Sequence, residues 1–133
     1  MRIATAAARV LVVDDDRNLV ESMRLRLETA GYEVIPASDE GEAAAKAQEE
    51  AFDLSIVGLR LVQGDAISLM EDLHGKVPHM PVIILTAHGS IESAVEAMKK
   101  GAYGYLTKPF ESQDLLFQIG AISPMFFRLV RGT

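Results

Sequence analysis

Phe52-Asp53-Leu54-Ser55-Ile56-Val57-Gly58-Leu59-Arg60-Leu61 is the stretch on which the fold turns. From Leu54 to Leu61 it is nearly all apolar, which suits a strand buried on both faces at the centre of a parallel sheet. The run breaks at Gly58, and Val62-Gln63-Gly64-Asp65 reads as a loop. In open parallel sheets, ligands and chemistry gather just beyond the carboxyl ends of the strands. Gly58 stands at that place and offers no side chain.

Outward from this stretch, strand and helix patterns alternate. Arg9-Val10-Leu11-Val12-Val13 is β-branched and apolar and runs into Asp14-Asp15-Asp16, a first strand ending in an acidic loop. Leu19, Val20, Met23, Leu27 and Ala30 fall at helical spacing, with Gly31 as the stop. Glu33-Val34-Ile35-Pro36 is a short second strand, and Ser38 is placed to cap a helix running through Glu50. After the central strand, Ala66, Leu69, Met70 and Leu73 give a third helix ending near Gly75. Pro81-Val82-Ile83-Ile84-Leu85 is a fourth strand, with Thr86 at its end. Ser90 is placed to cap the next helix, with Lys99 and Lys100 in its last turn and Gly101 beyond. Tyr103-Gly104-Tyr105-Leu106 is a fifth strand, Thr107-Lys108-Pro109-Phe110 follows, and a last helix begins near Glu111. Five alternations imply a parallel sheet with helices on both faces and right-handed crossovers.

Composition narrows the function classes. The 133 residues make one ordinary domain, and 49% hydrophobic content supplies a core rather than long disorder. The formal net charge of −6 argues against a nucleic-acid-binding face. The absence of cysteine removes disulfide scaffolds and thiolate zinc sites. No apolar run is long enough to cross a bilayer. Residues 1–8 lack the apolar centre of a signal peptide and read as a tail, so a cytoplasmic location, away from membranes, is the expectation. His74, His79 and His88 fall in loops or at helix ends and are expected at the surface without a shared metal.

The strand ends place Asp14 to Asp16, Gly58, Thr86 and Lys108 on one rim. Paired carboxylates there suit a hard cation such as Mg²⁺. Each residue also has a plainer reading. One aspartate caps the following helix while the others are solvated, Thr86 is a loop or cap residue, and Lys108 is a surface lysine. Convergence of four strand ends on one rim favours a site over four separate coincidences.

Leu11-Val12-Val13-Asp14-Asp15-Asp16, Phe52-Asp53-Leu54, Leu59-Arg60-Leu61, Leu85-Thr86-Ala87 and Tyr105-Leu106-Thr107-Lys108-Pro109-Phe110 together resemble the receiver domain of two-component response regulators. The resemblance runs from Arg9 to Ile122, and Val82 to Phe110 is most similar to receivers of enhancer-binding transcription activators. It implies a flavodoxin-like fold with strand order 2-1-3-4-5, bounded as tail 1–8, receiver 9–122 and tail 123–133. Asp14 and Asp15 match the acidic pair that holds Mg²⁺, and the backbone carbonyl of Arg60 matches a further metal ligand. Thr86 matches the hydroxyl residue that contacts a bound phosphoryl group, and Lys108 the family's lysine. Lys108-Pro109 matches a bond that is usually cis, and Tyr105 the aromatic switch residue.

The phosphoacceptor aspartate of the family falls on Gly58, and Val62 and Ala66 replace the usual proline and glycine of the same loop. Phosphoryl transfer from a kinase histidine needs a carboxylate nucleophile, which glycine lacks. The expectation is a degenerate receiver, not an enzyme. It would work through protein contacts made by the fourth helix, fifth strand and fifth helix. Its partners would be a sensor histidine kinase or another signalling protein, with a homodimer as a further form and no nucleic acid bound by this domain. Mg²⁺ binding would be weakened or lost, with Lys108 neutralising Asp14 and Asp15 directly. The alternatives are a conventional Mg²⁺-dependent phosphoacceptor, using another aspartate or an original Asp at position 58, and a small-ligand sensor using the space beside Gly58. A positive φ at Gly58 would strain any restored aspartate.

Overall fold

A computed structural model describes residues 8–58, 66–86 and 91–121 of the chain. The elements run β1 (Arg9–Val13), α1 (Arg17–Thr29), β2 (Glu33–Ala37), α2 (Glu40–Glu49), β3 (Leu54–Gly58) and α3 (Ala66–Lys76). They continue with β4 (Val82–Thr86), α4 (Ile91–Lys99), β5 (Gly104–Thr107) and α5 (Ser112–Gly120). All strand pairs are parallel, in the order β2-β1-β3-β4-β5. The all-parallel sheet is what the alternating pattern implies, and its flavodoxin-like strand order is what the family resemblance implies.

Side chains alternate across the sheet with period two, so each strand feeds two cores. Leu11, Val13, Val57 and Ile84 pack on the face covered by α2, α3 and α4. Val10, Val12, Leu54, Ile56, Ile83 and Leu85 pack on the opposite face, with Val20 and Met23 of α1 and Leu115 and Ile119 of α5. Burial on both faces explains why β3 and β4 read as continuous apolar runs and are buried throughout.

The amino ends of the strands are tied by charge. Arg9 pairs with Glu33 and Glu50, its guanidinium lies 5.5 Å from the centroid of the Phe52 ring, and its backbone N–H donates to Asp53 at 2.8 Å. The hydrogen bond to Glu50 is the main reason the guanidinium holds its proton more tightly than usual.

Two expectations need correction. Ser38 does not cap α2. Asp39 is the N-cap and accepts from the Glu42 N–H at 2.7 Å, while Ser38 donates its N–H and hydroxyl to the Glu42 carboxylate. Both residues are good caps, but it is the Asp39 carboxylate that reaches the orphan N–H, and Ser38, one residue outside the cap, donates to the side chain of Glu42 instead. His74 is half-buried rather than superficial, because its Nε2 lies 2.9 Å from the Met80 carbonyl oxygen. Among the described residues no helix is long and apolar enough to cross a membrane. The cap expected of Ser90, His88, and both tails except Ala8 lie outside the described residues.

Candidate functional site

The site is built from strand ends. In the β1–β3 register Val12 faces Ile56 and Val13 faces Val57, so Asp14 and Gly58 are neighbours one step further on. Asp14 shares its parity with Val10 and Val12, and Gly58 with Leu54 and Ile56, so both belong to the α1/α5 face of the sheet. β4 then brings Thr86 beside Thr107 of β5. The Lys108 N–H donates to the Thr86 carbonyl at 2.6 Å, which sets Lys108 at the top of the same rim.

The lysine meets one aspartate. Lys108 Nζ lies 2.7 Å from Asp14 Oδ2, and the Asp14 side chain is 1% exposed against 26% for Lys108. Asp14 Oδ1 accepts from the Asp16 N–H at 2.9 Å, so both carboxylate oxygens are engaged. Asp15 points outward and is exposed. Asp16 is the N-cap of α1, its Oδ1 accepting from the Leu19 N–H at 3.1 Å. Three adjacent aspartates thus take three separate places: one buried and paired, one in solvent, one on a helix end. The plainer reading of the triplet holds for Asp16 but fails for Asp14, which is buried rather than solvated.

Gly58 closes β3 with a backbone outside the positive-φ region, where only Gly31 and Gly101 fall among the described residues. The strain feared for a side chain there is therefore absent. The obstacle is spatial: a Cβ on Gly58 would run into Asp14 Oδ2 and lie 2.9 Å from Asp14 Cγ. Thr86 is buried at 2% exposure, Tyr105 is half-buried against the α2/α3/α4 core, and the Lys108–Pro109 bond is cis. The carbonyl of Arg60 and the side chain of Val62 lie outside the described residues, while Ala66 opens α3 fully buried.

Receiver domains as a family bind Mg²⁺ at the phosphorylation site. Mg²⁺ is held through carboxylates and gives up its waters reluctantly. Here each Asp14 oxygen already accepts one hydrogen bond within the protein, and Gly58 supplies no oxygen. Among the described residues no three His, Cys, Asp or Glu side chains cluster as a metal site. Gly58 leaves the described residues one carboxylate short of the set that the family's position would supply.

One feature escaped the sequence. A groove of about 400 Å³ lies between α1 and α5, lined in part by Leu19, Met23, Phe110 and Leu115, with Asp16 and Lys108 also on its wall. Its only sequence signal was the apolar reach of Phe110 beyond β5.

The doubly wound sheet with these residues at its carboxyl rim defines a CheY-like α/β signalling domain. A receiver domain protein from Methanospirillum hungatei superposes with TM-score 0.82 at 32% identity, over 95% of this chain and 98% of that one. The beryllofluoride-activated NtrC4 receiver domain dimer gives TM-score 0.82 at 34% identity, over 92% and 98%. The family model described as the response regulator receiver domain matches residues 10–119, and the chain belongs to that family. The transcriptional regulatory protein GlrR of Escherichia coli K12 is 42% identical over 84% of this chain. The chain spans about a quarter of the length of such curated relatives, 25% in that case. It is homologous to the receivers of enhancer-binding transcriptional regulators.

Proposed function

We propose that this receiver signals by binding other proteins and not through a phosphorylation cycle of its own. The observation that carries the reading is Gly58: the carboxyl end of the central strand, where the family's nucleophile falls, has no carboxylate. Asp14, its neighbour on β1, is buried and held by Lys108, which leaves it poorly placed to attack a donor. Thr86, Tyr105 and the cis Lys108–Pro109 bond are retained. Thr86 would be the phosphoryl-contacting hydroxyl and Tyr105 the switch residue, both without a phosphoryl group to answer. Mg²⁺, with Asp14, Asp15 and the Arg60 carbonyl as its ligands by family position, would bind weakly or not at all.

The receiver would span residues 9–122 between two tails and act in the cytoplasm. Its contact surface would be the α4–β5–α5 face, where Val95, Met98 and Tyr103 are exposed. A sensor histidine kinase, another signalling protein or a second copy are the partners it suits. Receivers can dimerise, as the NtrC4 receiver does. A sensor using the space beside Gly58 is the less favoured reading, since the Asp14 carboxylate already lies there.

Intact mass after incubation with acetyl phosphate and Mg²⁺ tests the proposal. No gain in mass is expected. Addition of one phosphoryl group would overturn it in favour of a conventional receiver using another aspartate.

A further inference from the structure

Asp14 occupies a place that belongs, by the geometry of the strands, to a side chain at position 58. A Cβ added to Gly58 would collide with its carboxylate, 2.9 Å from Cγ. In that place the carboxylate accepts from Lys108 Nζ at 2.7 Å and from the Asp16 N–H at 2.9 Å. Asp15, adjacent in sequence, is exposed and takes no part in that pairing. A buried carboxylate needs a cation or several donors, and this one has an ammonium and a backbone N–H.

The geometry points to Lys108 as the resident cation of this receiver: Asp14 stands in for the side chain that Gly58 lacks, and the Asp14–Lys108 pair closes the site without a metal. The inference deepens the reading of Gly58 as a lost phosphoacceptor and rests on it. Mg²⁺ would have to turn Asp14 outward and leave the Lys108 ammonium without its carboxylate, with no residue-58 carboxylate to take it over. The ion's own reluctance to shed water adds to that barrier. The loss of metal binding would then come from capture of Asp14 as well as from the missing ligand.

Two substitutions release Asp14 by different routes. Lys108→Met removes the ammonium and keeps the stem, so the carboxylate regains its need for a cation. Gly58→Asp supplies a new carboxylate to Lys108 and pushes Asp14 out of the way. Lys108→Arg keeps a cation in place and serves as the control. The readout is Mg²⁺ titration followed by calorimetry and by the thermal midpoint, with folding checked by circular dichroism.

The native chain and Lys108→Arg should be indifferent to millimolar MgCl₂. Gly58→Asp and folded Lys108→Met should bind Mg²⁺ roughly tenfold more tightly or better, the scale on which a hydrogen bond to a charged group competes for the carboxylate. If Lys108→Met does not fold, Lys108→Gln, which also removes the charge but keeps a polar end on the stem, is read in its place, because Gly58→Asp gains affinity from its new ligand whether or not Asp14 is captured. Mg²⁺ binding by the native chain would overturn the inference, as would a folded Lys108→Met that remains indifferent. Neither result touches the protein-binding reading, because acetyl phosphate plays no part in this test; a phosphorylated native chain would instead overturn that reading.

Discussion

Gly58 and Asp14 illustrate what can and cannot be read from letters alone. The placement of Gly58, Thr86 and Lys108 was legible because each stands where an apolar run ends, and strand ends collect on one rim. Which of three identical aspartates turns inward was not legible. That choice depends on strand register, which pairs Val13 with Val57 and so sets Asp14, not Asp15, beside Gly58. At this scale we expect Gly58→Asp, with Mg²⁺ and beryllofluoride, to shift the nuclear magnetic resonances of Thr86 and Tyr105, and the native chain to show no shift. The φ at Gly58 carries no strain for a side chain, so once Asp14 has turned aside, a folded but silent variant would mean that the switch itself has been lost. Tyr32 gives a second test. Burial raises its phenol above the ordinary value of 10.0. The unfolded chain then loses that proton first as pH rises, so the folded state keeps its full stability below the unfolded value and loses it through the folded one. Thermal midpoints should fall with alkaline pH, and less steeply in Tyr32→Phe; equal slopes would assign the effect elsewhere.

Elements were the most readable level. Periodicity located every helix and strand described here, and Gly31 and Gly101, at φ of 100° and 113°, mark helix ends as their sequence positions suggest. The error at α2 has a simple physical origin. Ser38 and Asp39 are both good caps, and sequence cannot say which oxygen reaches the orphan N–H. Asp39→Ala should therefore cost about 1 kcal/mol, and Ser38→Ala less, in urea unfolding; the reverse order would restore Ser38 as the cap. β5 and α5 show a contact that no periodicity predicts. Gln118 donates to the Tyr105 carbonyl at 3.4 Å while its Oε1 lies where a side chain on Gly104 would have to be. A side chain at Gly104 would have to displace the end of Gln118 and break that hydrogen bond.

The chain carries a formal net charge of −6, and among its described residues the exposed large apolar side chains are Leu25, Val95, Met98, Tyr103 and Phe117. Val95, Met98 and Tyr103 stand exposed on α4 and just before β5. Singly they would need no explanation, but together they form a candidate self-association face. Light scattering is expected to show a dimer at high concentration that Met98→Glu disperses, and a monomer at all concentrations would count against that face. Size, charge and alternation disclosed this level early. The α1–α5 groove stayed hidden, because a groove is a relation between two helices and neither sequence contains it.

The Lys108–Asp14 pair joins residues 94 apart in the chain, from the end of the first strand to just past the last. Contacts so distant in sequence form slowly on average. We therefore expect the pair to be completed late, when the fifth strand docks, as a latch on the domain rather than part of its nucleus. Breaking a buried pair costs about 3–5 kcal/mol, and the partial exposure of Lys108 argues for the lower end. Contacts that form after the transition state act on unfolding. Lys108→Met should accordingly speed the unfolding arm of a chevron plot and leave the refolding arm nearly unmoved. A refolding arm that slows as much as the unfolding arm quickens would instead place the pair in the nucleus.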